Sequence, residues 1–256
     1  MRFDFPGEMR PATVEERQQF YRESFPMEEV RDRTARWDVF TPVVDVGSES
    51  TRYRPRFKQF RDKLVRLTDW ETLDDLHDKI VEYAPEDLYY VTTVEKEDRI
   101  EINPEQELVF DLDPERVDCE TCDRKRERLP SPAADHVFCM DCFTDLARQT
   151  RQLAAFLRTH FDEMQIVYSG RGFHIHIADD AGFMMDREDR IELQTKVSGE
   201  FPVSRVTTAD DDLVRMPGSL HGLVSRVVTP IGIDDLDDPA AIIRSRSVPG
   251  FLRAQV

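Results

Sequence analysis

Glu107-Leu108-Val109-Phe110-Asp111-Leu112-Asp113-Pro114 is the stretch on which the fold turns. On a strand, alternate residues share a face. Leu108, Phe110 and Leu112 therefore point one way, into a core, and Asp111 and Asp113 point the other. Two carboxylates two residues apart on a rigid strand repel one another unless a cation lies between them, and hard oxygen ligands suit Mg²⁺ or Mn²⁺. An acidic turn is the competing reading in a chain this rich in Asp and Glu.

Outward from this stretch, the periodicity divides the chain. Residues 1–85 read mostly helical. Thr13 with Glu16 predicts a capping box for a helix running to about Phe25, and Thr72 with Asp75 opens another carrying Leu73, Leu76, Ile80 and Val81 at helical spacing. Leu88–Thr93 turns strand-like, and from about residue 98 the period becomes two, first in Arg99-Ile100-Glu101-Ile102. After a cysteine-bearing insert (119–142) come an amphipathic helix near 143–161, short strands at 165–168 and 173–177, and a helix near 186–198. Extended segments follow near 203–207, 213–216 and 224–229. No internal repeat or low-complexity linker interrupts residues 1–256, which read as one domain. Helices first, then strands mixed with helices, predict an α+β fold around a central mixed sheet.

All four cysteines fall in one pattern, Cys119-x-x-Cys122, sixteen residues, Cys139-x-x-Cys142. Two CxxC knuckles aim four thiolates at one ion and leave no open coordination position, so the spacing predicts a structural Zn²⁺. His136 stands three residues before Cys139, either as a substitute ligand or as an ordinary neighbour. The residues between the pairs include Arg124, Lys125, Arg126 and Arg128, a basic surface that nucleic acid could touch.

Ile166-Val167-Tyr168-Ser169-Gly170-Arg171-Gly172-Phe173-His174-Ile175-His176-Ile177 reads as strand, turn, strand. Gly170 and Gly172 let a phosphate approach main-chain amides, with Arg171 between them as a bidentate donor. A histidine-triad hydrolase would need a third histidine where Ala178 stands. Leu213-Val214-Arg215-Met216-Pro217-Gly218-Ser219-Leu220-His221-Gly222 adds a strand and a Pro-Gly turn presenting Arg215, Ser219 and His221, which alone reads as an ordinary turn.

Composition bounds the function. Of 256 residues, 35 are basic and 52 acidic, for a net charge of −17, and only six of the basic residues are Lys. That balance predicts a soluble, cytoplasmic protein of halophilic origin, because surplus carboxylate keeps a chain soluble where the Debye length is about 3 Å at 1 M salt. No apolar run is long enough for a membrane span. The exception to the acidic trend is Thr51–Arg66, where Arg52, Arg54, Arg56, Lys58, Arg61, Lys63 and Arg66 interleave with Tyr53, Phe57 and Phe60. It is either a solvated face or a strip that tracks nucleic-acid phosphates.

FDLDP, SGRGFHIHI and VRMPGSLHG, in that order with zinc-type cysteines between the first two, resemble the small catalytic subunit of archaeal and eukaryotic DNA primases. The resemblance covers roughly residues 85–232. It implies a primase-type catalytic fold with an inset zinc knuckle and template-directed nucleotidyl transfer from nucleoside triphosphates on single-stranded DNA, with a large regulatory subunit as a possible partner. By position it makes Asp111 and Asp113 the metal-binding aspartates and Ser169, Arg171 and His174 triphosphate ligands. Gly170 and Gly172 complete that turn, and Arg215, Ser219 and His221 belong to a further phosphate-contacting element. The sequence departs from the family where a third metal-binding aspartate is usual: Val203 stands there, and Asp212 replaces a usual basic residue. Asp210, Asp211 or Asp212 is the available substitute. Two rival readings accompany this one, a non-catalytic zinc module that binds nucleic acid or a replication partner, and the related polymerase domain of end-joining ligases.

Overall fold

The computed structural model describes residues 9–37, 40–47, 64–94, 105–127, 137–208 and 212–253. The basic strip from Arg52 to Lys63, the Arg99–Ile102 alternation, Arg128, His136, Asp210 and Asp211 lie outside them.

The chain opens with α1 (Val14–Glu23) and α2 (Met27–Arg33), then β1 (Pro42–Asp45), β2 (Leu64–Arg66), α3 (Leu73–Tyr83), β3 (Asp87–Val91) and β4 (Leu108–Leu112). Next come α4 (Glu120–Arg126), α5 (Met140–Leu157), β5 (Met164–Tyr168), β6 (Phe173–Ile177), α6 (Asp180–Met184) and α7 (Arg187–Ser198). β7 (Val203–Val206), β8 (Leu213–Arg215), β9 (Leu220–His221), β10 (Arg226–Val227) and β11 (Thr229–Ile231) precede short helical turns reaching Arg253. Both expected capping boxes form, Thr13 with Glu16 and Thr72 with Asp75, each satisfying amides that a helix start leaves without partners.

The fold is α+β, but its strands form two main sheets rather than one central mixed sheet. Their orders are β2-β1-β3-β8 and β11-β5-β6-β4-β7, with β9 and β10 as a separate pair, and every strand pairing among the described residues is antiparallel. The tight Ser169–Gly172 turn can only fold β6 back antiparallel on β5, since a parallel neighbour would need a long crossover. The expected helical character of residues 1–85 holds for α1, α2 and α3, while the β-branched pair Val43-Val44 builds β1 among them. No helix among the described residues is long and apolar enough to cross a membrane.

Two cores explain why β4 is apolar at every position but one. Leu108, Phe110 and Leu112 pack with Phe143, Leu146, Leu153 and Leu157 of α5, and Phe143 stacks on Phe173 with ring centroids 5.2 Å apart. Val109 faces the other way, into a second core with Tyr21, Leu76, Ile80, Leu88, Tyr90 and Val214. Burying one side chain of this size contributes roughly 1.5–3 kcal/mol, so β4 is fixed from both faces. Asp111 and Asp113 stand at its end.

Candidate active site and cysteine knuckle

The carboxylate pair sits where three elements meet. β4 pairs with β6 so that Asp111 lies opposite His174, and its carboxylate is 3.4 Å from His174 Nε2. His174 is buried, and its Nδ1 has no hydrogen-bond partner. Burial alone would raise the Asp111 pKa, but His174, Arg205 and Arg215 hold it below the ordinary carboxylate value. Asp113 shifts the opposite way. Burial and the neighbouring Asp111 charge push it up, against the pull of Arg171 and the nearby Ser204 hydroxyl. One carboxylate of the pair thus suppresses ionisation of the other, which a cation between them would relieve. The donors present fit one hard divalent ion.

The Ser169–Gly172 turn is wedged into this corner. Gly170 has φ +107, and a Cβ there would collide with the His221 ring, while one on Gly172 would collide with the Leu112 carbonyl. Only glycine allows the turn to close against β4 and His221 at once. Arg171 is buried and ion-paired with Glu115. Burial draws its guanidinium down to about 10, with Asp113 opposing, so it stays charged at neutral pH. Arg215 ion-pairs with Asp87 and lies over the Tyr89 ring, 5.0 Å from its centroid. Burial works against its charge, but Asp87 and its neighbours outweigh that and hold its pKa above the usual value. Asp87 also accepts from the Gly222 amide at 2.8 Å and lies 3.9 Å from His221 Nδ1, tying the Pro-Gly turn to β3.

β7 carries the departure expected near Val203. In the ladder Phe110 pairs with Val206 and Asp111 with Arg205, yet Leu112 pairs with Val203, so Ser204 is the extra residue of a β-bulge. Val203 consequently shares the core face of Leu112 and is buried. Ser204 donates its hydroxyl to the Asp111 carbonyl at 3.0 Å, and the residue across from Asp111 is Arg205. Asp212 is not brought into a metal-sized cluster with the pair. Its oxygens accept from the Thr208 amide at 2.7 Å and lie 3.6 Å from Arg205. Among the described residues no further His, Cys, Asp or Glu joins Asp111 and Asp113 in a metal-sized cluster.

The four cysteines do form such a cluster, with their sulfurs within 4.8 Å of one another. Cys119 and Cys139 Sγ are 3.6 Å apart, and Cys122 and Cys142 are 3.7 Å apart. A tetrahedral ion with four thiolates at 2.3 Å needs sulfurs about 3.8 Å apart, so the cluster could hold a metal such as zinc. Cys119 precedes α4 and Cys139 caps α5, and Arg126 bonds the Val137 carbonyl at 3.0 Å and the Pro114 carbonyl at 3.4 Å. The knuckle is thereby strapped to the residue that follows Asp113.

At the far end of the same strands a cavity of about 830 Å³ opens against α2, lined in part by Arg33, Trp37, Glu107, Gln165 and His176. His176 Nδ1 bonds Glu107 at 2.9 Å, and Glu107 is also held by the Tyr90 hydroxyl and by Arg33 at 3.4 Å.

The chain is 33% identical to an uncharacterized DNA primase small subunit-like protein of Archaeoglobus fulgidus, over 98% of this chain and 95% of that one. The chain belongs to the DNA primase small subunit-like family. The DNA primase small subunit PriS of Pyrobaculum calidifontis is 25% identical over 75% of this chain and 74% of its own length. PriS of Pyrococcus horikoshii is 26% identical over 74% of this chain and 50% of its own. Among solved structures, the polymerase domain of Mycobacterium tuberculosis ligase D in complex with DNA shares the fold at a TM-score of 0.50 and 16% identity, covering 93% of this chain and 85% of that one. No family model matches the sequence.

In this primase-like chain the structure brings Asp111, Asp113, Arg171, His174, Arg215 and His221 into one corner, with Ser169, Gly170 and Gly172 forming the turn. Ser219 is different. Its hydroxyl is fully buried and donates to the Met216 carbonyl at 2.6 Å, so it shapes the turn instead of facing the corner. Four residues of the corner were not singled out in the sequence: Asp87, Glu115, Ser204 and Arg205. Glu115 follows FDLDP directly, and a carboxylate so near a buried arginine was the available signal. Asp87 carried none.

Proposed function

We propose that this chain is a primase-type nucleotidyltransferase, building short primers from nucleoside triphosphates on a single-stranded DNA template. The observation that supports this most is the convergence of two carboxylates with Arg171, His174, Arg215 and His221 at one corner. In this reading Asp111 and Asp113 hold Mg²⁺ or Mn²⁺, which when bound offsets charge on the triphosphate and the leaving pyrophosphate. Ser169 and the amides of the Gly170–Gly172 turn meet phosphate oxygens. Arg171 and Arg215 exchange Glu115 and Asp87 for phosphate, a charge-assisted swap that keeps both guanidinium groups paired throughout. His174 offers its unpartnered Nδ1, and His221 closes the corner from above Gly170. Ser219 contributes by holding the turn that carries His221.

The cysteines hold one structural Zn²⁺ in the same reading, and a large regulatory primase subunit is the expected partner in the cytoplasm. One zinc per chain in reduced protein supports the knuckle, and well under one contradicts it.

Labelled nucleotide incorporation on single-stranded DNA, in low and molar KCl with Mg²⁺ or Mn²⁺, tests the enzyme. Products with wild type and none with Asp111→Ala are expected. A second reading, a nucleotide-binding module that does not polymerise, is favoured by the inward-facing Val203. Retained triphosphate affinity without incorporation in any condition would support it over the first. The ligase-type polymerase reading has the shared fold in its favour, and a requirement for a 5′-phosphorylated duplex end would separate it from the primase reading.

A further inference from the structure

We infer that the corner takes a single divalent ion with its nucleotide, and that the Arg205 guanidinium supplies the positive charge a second ion would bring. The inference rests on the reading of the corner as a triphosphate site and specifies its metal count.

The register carries it. Across from Asp111, on the same face of the sheet, β7 presents Arg205 and no carboxylate. The bulge that puts it there is pinned by Ser204, whose hydroxyl donates to the Asp111 carbonyl at 3.0 Å. The same bulge sends Val203 into the core opposite Leu112. Arg205 itself is anchored: its guanidinium donates to the Leu213 carbonyl at 2.7 Å and lies 3.6 Å from Asp212. A guanidinium does not lose its proton in proteins, so this charge is present at every pH the fold tolerates. A second dication beside Asp111 would have to displace or approach that fixed charge with no additional carboxylate to offset the repulsion. The donor set that remains, Asp111 and Asp113, fits one hard ion.

The test is a Mn²⁺ titration followed by electron paramagnetic resonance, on the full chain saturated with a non-hydrolysable nucleoside triphosphate. The same titration of Asp111→Asn is subtracted to remove ions scattered over so acidic a surface. Wild type is expected to show one Mn²⁺ lost on that subtraction. Arg205→Asp, with an unchanged melting temperature, is expected to gain a second with at least tenfold higher affinity than wild type shows for it. Arg205→Met, which keeps the packing and removes the charge, is expected to fall between. Two Mn²⁺ of comparable affinity in wild type would overturn the inference while leaving the triphosphate site intact. A count of one in folded Arg205→Asp and Arg205→Met alike would overturn it as well. Failure of wild type to bind the nucleotide at all would overturn the underlying site, an outcome distinct from either metal count.

Discussion

The sheet face formed by β4 and β6 carries a carboxylate beside a histidine at each end, and the two ends are built for different purposes. At the Glu107 end the pair is 2.9 Å apart, both residues are nearly inaccessible, and Tyr90 and Arg33 grip the carboxylate. At the Asp111 end the separation is 3.4 Å, the Asp111 side chain keeps 24% of its exposure, and another carboxylate, Asp113, follows two residues on. The same residue types, four positions apart in the chain leading through β4 and two along β6, thus make a hydrogen-bonded strut in one place and a more exposed, doubly acidic corner in the other. What separates them is the company each keeps: side chains from α2 and β3 over Glu107, and cations held by carboxylates of their own around Asp111.

Breaking each end should therefore give opposite results. Glu107→Ala leaves the half-buried Arg33 without its counter-charge and the buried His176 Nδ1 and Tyr90 hydroxyl without their acceptor, and should cost about 3–5 kcal/mol in urea unfolding. Asp111→Ala removes a charge that already repels Asp113 and should change stability by no more than about 1 kcal/mol while abolishing metal-dependent incorporation. Comparable destabilisation by both would erase the distinction.

Val203→Asp sharpens it. An alignment would choose this change to restore a third carboxylate, but the side chain enters the core opposite Leu112. Burying an unpaired carboxylate there should cost about 3 kcal/mol or more and bring no gain in incorporation. A gain with a stable fold would mean the bulge at Ser204 is misplaced.

Acid should find the Glu107 end. Burial draws the His176 pKa down to about 4 despite Glu107, so the ring is neutral in the fold. The unfolded chain takes up that proton near pH 6.5, so stability falls as pH drops from about 6.5 to about 4, by roughly 3 kcal/mol from this group. The Glu107 pKa is also lowered: burial opposes its charge, but His176 and Arg33 outweigh that, so its protonation at lower pH acts in the same direction. Melting temperature against pH should show this slope in wild type and a shallower one in His176→Gln. An unchanged slope would place the acid sensitivity elsewhere.

The smallest effects belong to the phosphate ligands. Arg171→Ala and His174→Ala should each weaken nucleoside triphosphate binding by about 1.5–3 kcal/mol, roughly ten- to hundredfold, with the fold intact. Calorimetric titration giving wild-type affinity in both would put the triphosphate somewhere else.

Much of this was legible in the chain because local chemistry decided it. The capping boxes at Thr13 and Thr72, the alternation of Leu108–Asp113, the two CxxC pairs and the glycine turn at Ser169–Gly172 each depend on residues close in sequence. The division into two sheets was not legible, since β3 and β8 join through Leu88, Tyr90 and Val214, whose common core is assembled only in three dimensions. Nor was the inward turn of Val203, because counting alternation along Val203–Val206 assumes a regular strand and a single bulge residue reverses the faces. Ser219 adds a related case: its motif placed it beside His221, and in the fold the Pro-Gly turn takes up its hydroxyl.

A nucleoside triphosphate bearing a photoreactive group on its γ-phosphate separates the two ends most directly. Cross-linked and digested, the protein should carry the label on the peptides containing residues 169–174 or 215–221, competed by unlabelled nucleotide and lost in Arg171→Ala. Label on peptides lining the cavity at the Glu107 end, around Arg33 or Gln165, would contradict the account.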